Sequence, residues 1–443
     1  MKVDPQVGNG DGTEVGSYFV ANYPPFSVWS KDDVERAALP AMQAEPMPGV
    51  PLGMYLHIPF CRKRCHFCYF RVYTDKTSDE ITAYLDALVR EMELYSRLPA
   101  YTNRPLNFVY FGGGTPSFLS THQLESLVSR LTRLMNWNNA EEITFECEPG
   151  TLTEHKLSAI HQMGVTRLSL GIENFDDGIL EANGRAHRSA EIFRSYDFAR
   201  KLGFPQINID LIAGMLGETN ENWLACVDRT IEMAPDSVTV YQMELPYNTT
   251  ISKDVLKGTG QFKQSIATWA TKRRWVQEAF EKLQAAGYHI RTAYTAVKNP
   301  STRFIYTDRL WQGADMVALG VASFGHINGV HVQNLDSWEA YNAAVQRGEI
   351  PLSRAYRPSR EERMIREFIL QLKRGTIQPG YFRDKYSVKV LDRFNDQLDA
   401  LDAEGYLSEA SEDAVTLSRE GLLRVDSLLP RFFLPEHTGI RYT

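Results

Sequence analysis

From residue 53 onward, short apolar runs alternate with segments whose apolar residues recur every three or four positions. The runs Met54–Ile58, Asn107–Phe111, Ile143–Cys147, Arg167–Gly171, Ile207–Ile212 and Ser237–Gln242 predict strands. Ile81, Leu85, Leu88 and Met92 predict a helix after the first strand, and Leu124, Leu127, Leu131 and Leu134 another after the second. Further helices are predicted over 153–163, 189–202 and 219–233. Strands joined through helices must lie parallel, with right-handed crossovers. The predicted fold is α/β: an open (β/α)6 partial TIM barrel. An open doubly wound sheet is the alternative that periodicity leaves.

The flanks differ. Residues 1–48 read as an N-terminal extension, partly flexible at Gly8-Asn9-Gly10-Asp11-Gly12. Tyr18, Phe19, Tyr23, Phe26 and Trp29 are too many aromatics for a free tail, so part of it is expected to pack on the body. Residues 49–350 hold the barrel and an α/β extension that begins with a long helix over 263–287. Residues 351–443 form a C-terminal winged-helix-like domain, with helices at Glu361–Lys373, Gly380–Tyr386 and Val390–Glu404. A hairpin over Tyr406–Leu417 and a last helical stretch, Ser418–Leu429, complete it.

Composition narrows the class. Of 443 residues, 43% are hydrophobic and 23% charged, as in soluble globular proteins. Lys plus Arg is 48 and Asp plus Glu 55, a formal charge of −7, which speaks against nucleic acid or membrane as a partner bound by bulk charge. No apolar run spans a bilayer and the N-terminus lacks a signal-peptide core. Three of the five cysteines fall within eight residues, which points to metal or redox chemistry in a reducing, cytoplasmic setting.

Those three are Cys61, Cys65 and Cys68, a C-x3-C-x2-C run directly after the first strand. Thiolates are ligands of iron–sulfur clusters, and three of them on a 4Fe–4S cube leave one iron open to substrate. Structural zinc, with His57 or His66 as fourth ligand, is the alternative from spacing alone. The second strand ends in Gly112-Gly113-Gly114-Thr115-Pro116, where a bare backbone can approach a ligand and turn its N–H groups toward an anion. In the third strand, alternation puts Glu146 and Glu148 on one face. Glu173 with Arg185, and Asp210, follow at the fourth and fifth. In a parallel barrel these strand ends share one rim.

Together, Tyr55-Leu56-His57-Ile58-Pro59-Phe60-Cys61, the cysteine triplet and the G-G-G-T-P loop resemble the radical S-adenosylmethionine superfamily. The branch resembled is the HemN-like one, typified by oxygen-independent coproporphyrinogen III oxidase. Glu146 to Gly150, Arg167 to Phe175, Gly184-Arg185, Asp210 to Gly214 and Leu319 to Ser323 agree with it. The resemblance implies a 4Fe–4S cluster on Cys61, Cys65 and Cys68, with S-adenosylmethionine on the open iron and, as members of this branch can hold, a second molecule beside the first. It assigns Gly113, Gly114 and Thr115, with Gly112 beside them, to the methionine moiety. Glu146, Glu173, Arg185 and Asp210 are assigned to the cofactor site, Tyr55 to cluster support and Phe67 to the adenine. Two departures stand out: Tyr69-Phe70-Arg71 where porphyrinogen oxidases continue Gly-Cys, and Glu173 where the family commonly has Gln.

The departures make radical methyl or methylene transfer (methylation or cyclopropanation) to an sp2 carbon of a small-molecule organic acceptor the first expectation. Glu173, Tyr241, Glu244 and His326 are its catalytic candidates. The alternatives are oxidative decarboxylation of coproporphyrinogen III, with Arg71, Arg167 and Arg303 for its carboxylates, or a haem chaperone using His187, His326 or His331. The resemblance also implies a reducing electron donor of flavodoxin or ferredoxin type and, for cyclopropanation, a partner methyltransferase. A monomer is expected.

Overall fold

The computed structural model describes residues 15–257, 262 and 266–442. Six strands run in chain order and all pair in parallel: β1 Leu52–Ile58, β2 Leu106–Gly113, β3 Glu142–Cys147, β4 Arg167–Glu173, β5 Gln206–Ala213 and β6 Ser237–Gln242. The sheet grows beyond both ends of this series. On one side β6 pairs antiparallel with Thr295–Val297 (β8), itself paired with His289–Ile290 (β7). On the other, Asp315–Leu319 (β9) lies parallel to β1 and is followed outward by Phe324–Ile327 (β10), Val330–Asn334 (β11) and Leu352–Tyr356 (β12). The twelve strands have the order β12-β11-β10-β9-β1-β2-β3-β4-β5-β6-β8-β7, so the sheet is open, with β12 and β7 at its edges.

The helices start where local chemistry dictates. Thr77 and Glu80 cap Ser78–Ser96 reciprocally, and Ser120 and Gln123 do the same for Thr121–Leu134. The predicted stripe Ile81, Leu85, Leu88 and Met92 is buried against the sheet. β1 and β4 are buried along almost their whole length, as expected of parallel strands covered on both faces.

Three boundaries shift. The helix predicted over 263–287 is Trp269–Ala285, capped by Thr268. The helix predicted over Val390–Glu404 breaks at Phe394, whose ring is drawn into the core against Phe368 and Phe432 at 4.5 and 5.2 Å. Leu352–Tyr356, expected within the C-terminal domain from 351, pairs with β11 as the edge strand β12 of the main sheet. That domain has the expected helices and a small antiparallel sheet, Thr376–Ile377, Val415–Leu417 and Leu407–Ala410.

The N-terminal extension packs on the body: Val20, Tyr23, Phe26 and Trp29 share one core with Met364, Phe368 and Phe432 of the C-terminal domain. The glycine run at 8–12 lies outside the described residues. Among those described, no helix is long and apolar enough to cross a membrane.

Candidate active site at the cysteine rim

The C-terminal ends of β1 to β6 converge on the loop that carries the three cysteines. All three thiols are free and partly exposed. The Thr115 hydroxyl donates to Cys61 Sγ at 3.3 Å and the Arg185 guanidinium to Cys65 Sγ at 3.4 Å. Burial pushes the Cys61 thiol up to about 12 and the Cys68 thiol up to about 11. Crowded thiols held protonated by burial are suited to a metal that takes the place of their protons. The histidines of the zinc alternative turn elsewhere. His57 Nδ1 faces Tyr55 Oη at 3.3 Å, and His66 Nδ1 contacts the Ala182 carbonyl at 3.0 Å. Three cysteines on one loop are the donor set of a three-thiolate iron–sulfur cluster, although among the described residues no three such side chains are already gathered as a metal-ready group.

The glycine loop works differently from the expectation. Gly113 N–H donates to Glu146, Gly114 N–H to the Ile58 carbonyl and Thr115 N–H to the Phe60 carbonyl, at 2.9–3.1 Å. Its donors are spent inside the protein rather than offered to an anion. What glycine supplies is close approach: a Cβ on Gly113, at φ +110°, would lie 2.4 Å from the His57 ring, and one on Gly114 2.8 Å from the Ile58 carbonyl oxygen.

Carboxylates line the interior beneath the loop. Glu146 accepts from Tyr110 Oη at 2.7 Å and from Gly113 N, yet burial raises its pKa to about 7. Asp210 accepts from Ser169 Oγ and Asn208 Nδ2 at 2.8 and 2.9 Å, and burial raises its pKa too. Glu173 sits at a register shift in β4 with φ +66°, a strained conformation for a residue with a Cβ. It pairs with Arg185 at 3.5 Å, and burial raises it to about 7. Glu148 does not join them: the strand ends at Cys147, and Glu148 turns to Arg62 of the cysteine loop at 2.7 Å and to His187 at 3.4 Å.

Of the remaining candidates, Tyr55 stacks on Tyr110 at 5.9 Å under the loop. Phe67 packs against the cluster of Leu216, Met243, Leu245 and Ile251. Tyr241, near the end of β6, is 37% exposed and meets the rings of Phe19 and Tyr294 at 5.8 and 6.0 Å. Glu244, two residues beyond β6, has an unpartnered buried Oε2, and burial raises it to about 7. His326 is misplaced as a candidate: it pairs with Met316 at the start of β9, beside Asp315, at the opposite end of the barrel. The three arginines do not converge. Arg71 pairs with Asp336 at the surface, Arg167 with Glu142 inside the far end and Arg303 with Glu141 on that end's outside. His187, His326 and His331 are all buried.

Two residues here, Tyr110 and Lys272, escape sequence reading, and a third was read without its partners. Tyr110 was visible only as an interior position in β2. Glu148 was visible, but its partners were not. Lys272, fully buried, donates to the Met243 carbonyl at 2.7 Å and lies 3.7 Å over the Trp269 ring, with Glu244 as its charged neighbour. It sits on a helix distant in sequence, and no signal marked it.

Comparison with known proteins agrees with this geometry. The Radical SAM superfamily matches residues 55–229. The chain is 28% identical over 375 residues to "Heme chaperone HemW" of Bacillus subtilis, covering 83% of this chain and 96% of that protein. It is 28% identical over 407 residues to oxygen-independent coproporphyrinogen III oxidase of Pseudomonas aeruginosa, covering 88% and 84%. The structure of coproporphyrinogen III oxidase (HemN) from Escherichia coli superposes with a TM-score of 0.79 at 25% identity, covering 93% of this chain and 96% of that one. Residues 55–229 thus match the radical SAM superfamily, and over most of its length the chain is similar to the HemN-like branch, a similarity that implies a 4Fe–4S cluster and S-adenosylmethionine as cofactors.

Proposed function

We propose that the chain is an oxidoreductase that removes hydrogen from a small organic substrate, with oxidative decarboxylation of a coproporphyrinogen-type tetrapyrrole as its first reading. What carries this reading is the reach of the similarity. Coproporphyrinogen III oxidases match 88% of the chain in sequence and 93% in structure. Methyl transfer, the first expectation from sequence, becomes the second reading.

When bound, the cofactors supply a carbon radical able to take hydrogen from an unactivated C–H bond. The protein's own part is binding, orientation and exclusion. Cys61, Cys65 and Cys68 hold the cluster, Arg185 offsets thiolate charge at Cys65, and Thr115 donates to Cys61. Glu146, Glu173 and Asp210, raised by burial and short of partners, would accept hydrogen bonds from the hydroxyl and ammonium groups of the cofactor. Phe19, Tyr241 and Tyr294 form a ring cluster beside the end of β6 that would pack against a substrate and help keep water from it.

One observation favours methylene transfer to an sp2 carbon as the second reading. The interior is lined by carboxylates, and Arg71, Arg167 and Arg303 lie in three separate places, so a polycarboxylate meets no cationic cluster. A haem-chaperone role through His187, His326 or His331 has less support, because all three rings are buried.

The test is anaerobic reconstitution with iron and sulfide, then reduction with methyl-labelled S-adenosylmethionine and coproporphyrinogen III. Decarboxylation yields 5′-deoxyadenosine together with carbon dioxide and a substrate lighter by its carboxyl groups. Formation of 5′-deoxyadenosine together with unlabelled S-adenosylhomocysteine, with the labelled carbon now on the acceptor and no carbon dioxide, overturns the first reading in favour of the second.

A further inference from the structure

We propose that Tyr84 and Glu91 are positioning residues that fix the exit of β1, and with it the glycine loop, in the form that binds S-adenosylmethionine; this rests on the cofactor reading of the rim. The backbone from His57 to Phe60 leads from β1 into Cys61, and each of its four carbonyls accepts a hydrogen bond from a different residue. Gly114 N–H donates to Ile58 and Thr115 N–H to Phe60, both at 2.9 Å, and Tyr73 N–H donates to Pro59 at 2.7 Å. The fourth carbonyl, that of His57, accepts from Tyr84 Oη at 2.9 Å. Three of these bonds come from the loops of the rim, and one comes from the helix Ser78–Ser96. The His57 ring completes the link, since it fills the place that a Cβ on Gly113 would take.

Tyr84 is itself held from a second side. β9 runs parallel to β1 with Leu319 opposite Leu56, so the turn Gly320–Ser323 that follows it stands on the same rim. Val321 N–H donates to Tyr84 Oη at 3.1 Å. Gly320, at φ +104°, leaves no room for a Cβ, which would lie 3.0 Å from the His57 carbonyl oxygen and closer still to Tyr84 Oη. Glu91, two turns further along the same helix, accepts from Gly320 N–H at 2.8 Å. Its other donors are Tyr341 Oη and Asn334 Nδ2, both at 2.6 Å. Asn334 Nδ2 reaches the Gly320 carbonyl as well, at 2.9 Å.

Glu91 is fully buried, and its three donors are all neutral. A carboxylate in such a place costs stability that an apolar side chain of the same size would not. What it holds is a single turn, in which Ala322 takes φ +60°, a strained conformation for a residue with a Cβ. Buried charge and backbone strain kept together on a rim turn serve placement at the expense of stability. The order of contact is Glu91 to Gly320, Val321 to Tyr84, Tyr84 to His57, and His57 to the glycine loop. Neither Tyr84 nor Glu91 touches the cofactor in this reading; both act through the backbone that does.

The test compares Tyr84→Phe in the full chain with Leu127→Ala, which opens a cavity on the buried face of the neighbouring helix Thr121–Leu134 and removes none of these bonds. In the metal-free chain, Tyr84→Phe should speed hydrogen exchange at the Gly114 and Thr115 amides, whose acceptors it loosens. After anaerobic reconstitution both variants should carry the parent's iron content. The half-saturating S-adenosylmethionine concentration, read from the change in the spectrum of the reduced cluster, should rise about tenfold in Tyr84→Phe, equivalent to about 1.4 kcal/mol. Leu127→Ala should lower the thermal midpoint at least as far and leave that concentration unchanged. Glu91→Gln, which presents an N–H where an acceptor is needed, should act in the direction of Tyr84→Phe, and it carries the same test should Tyr84→Phe fail to fold. An unchanged half-saturating concentration in both network variants, or an equal rise in Leu127→Ala, overturns the proposal. A parent chain whose spectrum does not respond to S-adenosylmethionine refutes the cofactor reading instead, and the proposal with it.

Discussion

At the starts of β3 and β4, Glu142 and Arg167 meet at 3.0 Å. Glu142 also accepts from Thr144 Oγ1 and from Ile305 N, and Arg167 lies 4.3 Å over the Phe304 ring. At the far ends of the same two strands, Glu146, half-buried, and Glu173, buried, are less well served. Glu173 reaches Arg185 only at 3.5 Å and from a strained backbone, and both carboxyls are raised to about 7 by burial. One end of the barrel closes its charges on each other, and the other leaves them short of partners. The contrast separates a structural ion pair from a ligand site without reference to any relative: buried charge without adequate partners persists where something else is to supply them.

The largest expected effect is at the cysteine end. Cys65→Ala should abolish the iron–sulfur absorbance after anaerobic reconstitution and all S-adenosylmethionine cleavage, while thermal unfolding of the metal-free chain changes little. Retained cleavage would remove Cys65 from the ligand set. At the other end the effect falls on stability. Arg167→Met leaves Glu142 buried beside apolar surface and should cost about 3–5 kcal/mol in denaturant unfolding. Adding Glu142→Gln, which keeps the acceptor for Ile305 N–H and removes the charge, should recover much of that loss. A double variant no better than the single one would mean that the pair is held by packing rather than by charge.

The same contrast explains what could be read from the chain. All six parallel strands were legible, because a buried parallel strand needs a nearly unbroken apolar run and the helix between two strands needs one apolar stripe. The cysteine loop was legible as a spacing, and Glu146, Glu173, Arg185 and Asp210 as strand-end charges on one rim. Pairing was not. Nothing in the sequence tells that Arg167 belongs to Glu142, that Glu148 leaves the interior for Arg62, or that the donors of Gly113 and Gly114 are already taken. His326 failed for a related reason: local pattern cannot say which end of an antiparallel strand faces the rim, and the pairing with Met316 places it at the far one. Lys272 was hidden because its setting is made by residues far away in sequence, Met243 and Glu244.

The smallest effect, and the finest test of the contrast, is in pH. Burial raises Glu146 from an ordinary 4.5 to about 7, so the folded chain holds this proton more tightly than the unfolded one. The stability it contributes is therefore full below pH 4.5 and is lost as pH rises through 7, on the order of 2 kcal/mol. Glu173 is raised in the same direction and acts over the same window. Glu148 runs the other way. Its bonds to His187 and Arg62 outweigh burial and lower it to about 2, so its contribution is present above 4.5 and lost as pH falls toward 2. Thermal unfolding of the ligand-free chain should thus show stability declining between about pH 5 and 7, and Glu146→Gln should flatten that decline without altering the acid limb below pH 4. Saturating S-adenosylmethionine should flatten it in the parent as well, since its donors supply what the fold withholds. An unchanged slope in the variant would mean that the Tyr110 and Gly113 bonds already satisfy Glu146, and the rim carboxylates would then resemble Glu142 more than they differ from it.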